Sequence, residues 1–158
     1  KDAAWFLKNC VPVRLQYAAC NKGKRKTLEA QVSDVNYLLN QYKVIPIDFI
    51  NVHTYFPLNK RGGYDVNNKD TSAAGLSQVI SFVKAKTGKN VISNETGTLN
   101  QNEHLVNNVL AAYEKENIEY LLWWSGDGGD GKAKPLHNAD GSLTVNGISF
   151  QKFMESIK

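Results

Sequence analysis

Apolar, strand-like runs alternate with helix-like segments along the chain. The unit occurs four times: an apolar run leads into a polar loop that contains glycine, and apolar residues at helical spacing follow. The four runs cover residues 11–17, 44–55, 91–97 and 118–124. This alternation predicts an α/β fold with parallel strands joined by right-handed crossovers, and the near-continuous apolar character predicts a sheet that is covered on both faces.

Each helix-like segment carries an apolar stripe. We expect helices from about Thr27, from near Thr71, from about Asn102 and after Asn146, and Gly88 is typical of the residue that ends the second one. The inward-facing residues are Leu28, Val32, Val35, Leu39 and Tyr42 in the first helix, Leu76, Val79, Ile80 and Val83 in the second, Leu105, Val106, Val109, Leu110 and Tyr113 in the third, and Ile148, Phe153 and Ile157 in the fourth.

The chain has the length of a single domain. Its 158 residues are 42% hydrophobic and 22% charged, which is an ordinary globular composition. Residues 1–9 are typical of the last turns of a helix whose strand lies outside this sequence, and residues 10–158 hold the four strand–helix units. We therefore expect one half-domain cut, naturally or experimentally, from a larger α/β protein.

Charge, apolar run length and cysteine content argue against several classes of function. The net charge of +4 comes largely from the basic run at 22–26, which has no interleaved aromatic residues, so a solvated turn explains it without nucleic acid. No apolar run is long enough to span a membrane, and the amino terminus lacks the layout of a signal peptide. Cys10 and Cys20 are too few for a disulfide framework or a zinc site.

No pattern in the sequence predicts a metal or a cofactor. His104 and His137 have no ligand spacing that links them to either cysteine. The loops at 127–131 and 138–142 are rich in Asp, Asn and Gly, but neither matches the twelve-residue calcium loop with its closing Glu. Asp-Gly sequences form turns by themselves, so we interpret both loops as turns.

Polar and aromatic residues stand near the carboxyl ends of three predicted strands. His53 and Tyr55 end the second strand, Glu95 ends the third and Trp124 ends the fourth. Because the chemistry of α/β folds lies at the carboxyl ends of the strands, we expect these side chains to cluster. The alternatives are structural: Glu95 held by an arginine or a hydroxyl, Tyr55 as a rim aromatic, His53 as a hydrogen-bonded strand-end residue and the tryptophans as core.

These strand ends resemble the carboxyl half, units five to eight, of the large clan of (β/α)8-barrel retaining glycoside hydrolases with two catalytic glutamates. His53-Thr54-Tyr55 is similar to the His-x-Tyr that ends the sixth strand, and Asn94-Glu95-Thr96-Gly97 to the nucleophile segment of the seventh. Trp123-Trp124-Ser125 is similar to the Trp that ends the eighth strand, and residues 140–147 to the loop before the eighth helix. The fold that this resemblance implies is a parallel (βα)4 half-barrel, part of a TIM (β/α)8 barrel.

The resemblance also implies a role for each residue. Glu95 would be the nucleophile, and the Tyr55 hydroxyl would donate a hydrogen bond that holds the Glu95 rotamer. A tryptophan would stack on a pyranose ring, and strand alternation lets only one of the two adjacent tryptophans face the cleft, with a slight preference for the second. The residues expected to bind substrate are His53, Tyr55, Asn94, Trp123 and Trp124.

One feature of that clan is missing from this sequence. Its general acid/base is the Glu of an Asn-Glu pair at the end of the fourth strand, which would precede Lys1. The Asn-Glu pairs present here are Asn94-Glu95, in the nucleophile segment, and Asn102-Glu103, at a helix start. We therefore expect the carboxyl-terminal half of an extracellular or cell-surface hydrolase of oligo- or polysaccharides, inactive without the amino-terminal half of the barrel or a second copy.

Two other functions stay open at this point. The chain could be a non-catalytic carbohydrate-binding half-barrel that dimerises, since a four-unit sheet has two edge strands that a second copy could cover. It could also be an unrelated α/β protein in which Glu95 is incidental. The second alternative lacks the expected signal of a phosphate-binding loop, because residues 21–24 match neither a P-loop nor a dinucleotide fingerprint.

Overall fold

The structure is a computed structural model and describes residues 28–57, 67–69, 71–73, 75–124 and 133–157. Within these residues the chain is an α/β fold with four helices and a parallel sheet. The elements are α1 (Leu28–Val44), β1 (Phe49–Asn51), β2 (Thr54–Phe56), α2 (Leu76–Thr87), β3 (Asn90–Thr98), α3 (Glu103–Lys115), β4 (Leu121–Trp123) and α4 (Val145–Ser156).

Several sequence-based predictions concern other residues. The helix fragment at 1–9, the first strand at 11–17, both cysteines, the basic run at 22–26 and the loop at 127–131 lie outside the described residues. Of the helices that are described, none is long and apolar enough to cross a membrane.

Strand β3 is the centre of the sheet, and the other three strands pair with it in parallel. β1 pairs with its first part and β2 with its last part, and because only two residues separate these short strands, they form one interrupted line along one edge. β4 lies on the other edge, where the amides of Ser93 and Trp124 donate to the carbonyls of Tyr120 and Thr96 at 2.9 and 2.7 Å. The parallel, sequential order is confirmed for the second to fourth predicted strands.

The helices pack on one face of this sheet. The core joins the stripe of α2 to the strand residues Ile50 and Val91, and it includes Val35 and Leu39 of α1 and Leu105, Val109 and Tyr113 of α3. The stripes predicted for the second and third helices are buried throughout. On the opposite face Phe49 is 43% exposed and Leu122 is 47% exposed.

The predicted sheet with two covered faces is therefore wrong for the described residues. Right-handed crossovers between neighbouring strands in sequential order bring each successive helix to the same side of the sheet. The side chains that alternate with the buried ones, such as Phe49 and Leu122, remain on the face that none of the described helices covers. We call this surface the open face.

The ends of two elements differ from the sequence prediction. α1 includes Val44, so the strand predicted to begin there begins at Phe49. α2 begins at Leu76, later than expected. Its predicted end is confirmed: Gly88 has a φ of 69°, and its amide donates to the Lys84 carbonyl at 2.8 Å. Glycine adopts this left-handed conformation without the strain that a Cβ would bring.

The inward face predicted for α4 is wrong in two of three residues. Ile148 is 43% exposed and Ile157 is also exposed, while Phe153 is half-buried. The start of the helix instead packs its small residues inward. A Cβ on Gly147 would lie 2.0 Å from the Leu136 carbonyl oxygen, so glycine is required where the preceding loop crosses the helix. Close backbone contact, rather than an apolar stripe, determines which side of α4 is buried.

A buried amide joins α4 to the end of β3. Asn146 is fully buried, and its Nδ2 donates to Thr98 Oγ1 at 2.8 Å and to the Asn100 carbonyl at 3.0 Å. Its Oδ1 accepts the Asn102 amide at 2.9 Å, and its own amide donates to Gln101 Oε1 at 2.9 Å. The Asn146 side chain therefore hydrogen-bonds the end of β3, the loop that follows it and the residue before α3.

Asn146→Ala should lower the free energy of unfolding by about 2–4 kcal/mol, because it leaves several buried polar groups without partners. Chemical denaturation of the chain measures the loss. The matched control is Asn138→Ala, whose amide bonds Ser142 and Leu143 within an exposed loop and should cost less than about 1 kcal/mol. Equal losses in the two variants would contradict the structural role of Asn146.

Candidate active site

Glu95 is held by a phenol and an imidazole. The Tyr55 hydroxyl donates a hydrogen bond to Oε1 of Glu95, and His53 Nδ1 lies 3.2 Å from Oε2. The side chains of His53 and Glu95 are about one-quarter exposed, so the group is accessible from solvent. The structure therefore brings together residues that the sequence placed on two predicted strands, and each carboxylate oxygen has its own partner.

The two tryptophans point in different directions. The Trp124 ring meets the Tyr55 ring edge-on, with centroids 5.7 Å apart and an interplanar angle of 74°, and Trp124 is 40% exposed. The Trp123 ring packs against Phe150 of α4, also at 5.7 Å. Trp124 is thus the tryptophan that packs on Tyr55, the partner of Glu95, while Trp123 lies on the helix-covered face.

β3 contains one residue more than the strands beside it. From Asn51 to Thr54 the first edge advances three residues, while its partners on β3, Ile92 and Thr96, are four apart. The β4 edge shows the same excess. Leu121 and Trp123 are two residues apart, whereas their partners on β3, Ser93 and Thr96, are three apart. An extra residue of this kind is a β-bulge, which redirects the side chains around it.

The bulge puts two consecutive side chains on one face. Neighbouring residues of a regular strand point to opposite faces. Here a single His53 ring contacts both Asn94, through Nε2 and Oδ1 at 2.6 Å, and Glu95, through Nδ1. The sequence predicted that Glu95 ends its strand. β3 instead continues to Thr98, so Glu95 lies within the strand.

Buried hydroxyl groups support the bulge from the helix side. Ser93 and Thr96 are fully buried, and the Ser93 hydroxyl donates to the Glu95 carbonyl at 3.3 Å. Thr96 Oγ1 donates to the Thr54 carbonyl at 2.9 Å, and the Tyr113 hydroxyl from α3 is hydrogen-bonded to both Thr54 and Ser93. Sequence reasoning had assigned Tyr113 only to the helix stripe and had missed its polar role.

Asn51 is a site residue that sequence reasoning missed. It belongs to the open face, and its side chain contacts both Asn94 and His53. The available signal was its position two residues before His53 on a strand, which places both on one face. Asn51 was overlooked because it lies within the apolar run 44–55, whose residues were assigned to a buried strand.

The described residues hold no group of three or more His, Cys, Asp or Glu side chains that could bind a metal ion. Asp140, from one of the loops with a weak calcium pattern, accepts hydrogen bonds from the Ser142 hydroxyl at 2.6 Å and amide at 3.0 Å. These bonds stabilise the charged form and lower the pKa of Asp140 below its ordinary value. The Asp140 carboxylate thus stabilises the turn at residues 138–142.

Ser142→Ala should raise the pKa of Asp140 towards its ordinary value, because the serine hydroxyl is the largest cause of the lowering. Observing the side-chain carboxyl carbon by NMR during an acid titration measures it. Ser81→Ala, on α2, should leave the Asp140 titration unchanged. A Ser142→Ala midpoint identical to the wild type would show that the backbone amide alone holds the charge.

Comparison of the chain with protein-family models, with curated proteins and with solved structures finds no match. The side chains of Asn51, His53, Tyr55, Glu95 and Trp124 are therefore the basis for inferring a function.

Proposed function

We propose that the chain is the carboxyl-terminal half of a retaining glycoside hydrolase that acts on an extracellular oligo- or polysaccharide. Its nucleophile is Glu95. The observation that carries this proposal is that Tyr55 bonds Oε1 of Glu95 and His53 contacts Oε2, while the exposed Trp124 packs edge-on against the Tyr55 ring.

The proposed chemistry assigns a task to each of these groups. Glu95 attacks the anomeric carbon as the glycosidic C–O bond breaks, and the second carboxyl group of the mechanism gives its proton to the leaving oxygen. Water, deprotonated by that same group, then hydrolyses the glycosyl ester and releases Glu95. The Tyr55 hydrogen bond fixes the carboxylate rotamer before the sugar arrives, so little reorganisation is needed in the transition state. His53 and Asn94 offer polar contacts to sugar hydroxyls, and Trp124 offers an apolar face for a pyranose ring.

The one-sided arrangement of the helices supports a half-barrel. In a (β/α)8 barrel the helices form an outer ring, and the inward side chains of the strands fill the interior in layers. Phe49 and Leu122, on the open face, have the position and apolar character of such interior residues. In the proposal the missing half of the barrel covers them.

The same missing half would supply the second catalytic carboxyl group. A retaining mechanism needs a second carboxyl about 5–5.5 Å from the nucleophile. In the part of the chain that the structure describes, the Glu95 carboxylate is bonded by a phenol and an imidazole, and neither is that carboxyl. Without a positioned proton donor the rate of hydrolysis should be roughly 100- to 10,000-fold lower. The absence of half of the cleft should lower it further.

A second candidate function shares the open face. A carbohydrate-binding half-barrel without turnover could cover Phe49 and Leu122 with a second copy of itself, and Trp124 would still present its ring to a sugar. The exposure of two large apolar side chains on one sheet face favours this candidate independently of catalysis.

Adding the amino half of the barrel should restore hydrolysis of an activated aryl glycoside, and Glu95→Gln should then lower turnover by at least roughly 1,000-fold. An amide of the same shape cannot form the glycosyl ester. Release of the phenol measures the rate. The matched control is Glu103→Gln, from the second Asn-Glu pair, whose exposed carboxylate lies 3.9 Å from Lys152 and whose loss should leave turnover unchanged. Near-normal turnover in Glu95→Gln would remove the nucleophile from the proposal.

The isolated chain should associate with itself because its open face exposes apolar side chains that would otherwise contact water. Light scattering after size-exclusion chromatography should show dimers or larger species. Leu122→Ser should shift the distribution towards monomer, whereas Tyr37→Ser, which changes an exposed residue of α1, should not. A stable wild-type monomer at high concentration would argue against both candidate functions as stated.

A further inference from the structure

The Asn51 side chain holds Asn94 by two different groups. The backbone amide of Asn94 donates to Asn51 Oδ1 at 3.0 Å, and Asn51 Nδ2 donates to Asn94 Oδ1 at 2.6 Å. Both bonds lie beside the bulge, where the pairing of β1 with β3 ends at Asn51 and Ile92. One side chain on the adjacent strand therefore fixes both the backbone and the side chain of Asn94.

These two bonds assign oxygen and nitrogen in both side-chain amides. A backbone N–H can only donate, so the atom of Asn51 that faces it is the oxygen. The other branch of Asn51 is then its NH2 group, which also can only donate, so the Asn94 atom that it contacts is Oδ1. His53 Nε2 lies 2.6 Å from the same oxygen. Nδ2 is therefore the branch of the Asn94 amide that remains for another partner.

This NH2 group of Asn94 lies on the same side of β3 as Glu95. The bulge brings both side chains to the His53 ring, and Asn94 is exposed on the open face. In the part of the chain that the structure describes, no protein group bonds Asn94 Nδ2. An exposed amide normally rotates among contacts with water. Because the oxygen of this amide is held, its two N–H groups keep one direction before a ligand arrives.

We propose that Asn51 is a positioning residue that holds the Asn94 amide with Nδ2 towards the cleft, where it donates to a hydroxyl oxygen of the sugar at Glu95. The proposal rests on the proposed hydrolase function and adds the direction of one contact: the protein donates and the sugar accepts. A sugar without this hydroxyl leaves the held N–H groups unpaired, which discriminates against it. Asn51 itself acts through Asn94 and not on the sugar.

NMR of the isolated chain, labelled with ¹³C and ¹⁵N, tests the orientation of the amide without any turnover. Scalar coupling across a hydrogen bond identifies the donor nitrogen and the carbon that bears the acceptor oxygen. In the wild type we expect coupling from Asn51 Nδ2 to Asn94 Cγ. Coupling in the opposite sense, from Asn94 Nδ2 to Asn51 Cγ, would overturn the proposal, and so would the absence of coupling between the two side chains.

One substitution separates positioning of the amide from support of the bulge. Asn51→Asp keeps an oxygen for the Asn94 backbone amide but offers a second acceptor to the Asn94 side chain. The Asn94 amide should therefore turn over, and coupling should run from Asn94 Nδ2 to the carboxyl carbon of the new side chain. An Asn94 amide that keeps its wild-type orientation would show that Asn51 does not determine it, and would overturn the proposal.

The matched control is Asn108→Asp, on α3. The Asn108 amide donates to the Thr71 carbonyl at 2.7 Å, remote from the site, so this variant should leave the Asn94 signals unchanged. Backbone amide spectra of both variants report whether the fold is retained. Asn51 and Asn108 are both exposed, so neither substitution places a charge in the core.

The sugar contact is tested in the chain completed by the amino half of the barrel. The probes are the aryl glycoside that this complex hydrolyses and analogues with hydrogen or fluorine in place of one ring hydroxyl. The hydroxyl next to the anomeric carbon is left intact, because changing it alters the reactivity of that carbon. At one position hydrogen should lower kcat/KM about 3- to 10-fold more in the wild type than in Asn94→Ala. Fluorine accepts but cannot donate, so it should recover part of that difference.

Two kinetic results would overturn the sugar contact while hydrolysis itself persists. One is an equal loss in the wild type and Asn94→Ala at every position, and the other is a fluorine analogue that recovers none of the difference. A complex that hydrolyses none of the glycosides would count against the hydrolase proposal, and the sugar contact would fail with it. The couplings in the isolated chain decide the orientation of Asn94 in either case, so the two failures are distinguishable.

Discussion

The candidate site depends on the extra residue in β3. A bulge interrupts backbone pairing, and the interruption is costly where a freed polar group is buried without another partner. On the helix side the Ser93 hydroxyl donates to the Glu95 carbonyl, and on the open face the backbone N–H of Asn94 donates to Asn51 Oδ1. The break is therefore stabilised from both faces of the sheet, and it brings two polar side chains to a single imidazole ring.

The one-sided packing of helices determines the environment of that site. The hydroxyl groups beneath the bulge are buried in the core, whereas Asn51 and Trp124 lie on the open face. Both proposed functions use this asymmetry. A hydrolase needs a second half to complete its cleft, and a binding protein needs another surface to cover Phe49 and Leu122.

Much of the architecture could be predicted from apolar spacing. The stripes of α2 and α3, the glycine end at Gly88 and the grouping of His53, Tyr55 and Glu95 follow from periodicity and from the geometry of parallel strands. The bulge could not be predicted, because polar residues within β3 have the same pattern as residues after a strand. The buried side of α4 was also missed, since contact between backbones there selects Gly147 and excludes a large apolar side chain.

Because Trp124 packs on Tyr55, residues from three strands determine the orientation of the Glu95 carboxylate. The carboxylate belongs to β3, the phenol that holds it belongs to β2, and the indole that packs on the phenol follows β4. In the described sheet β4 pairs only with β3, and strands at an edge open more readily than central ones. Brief local opening of β4 would separate the Trp124 ring from Tyr55. Tyr55 would then hold the Glu95 carboxylate less firmly, although β1, β2 and β3 remain paired.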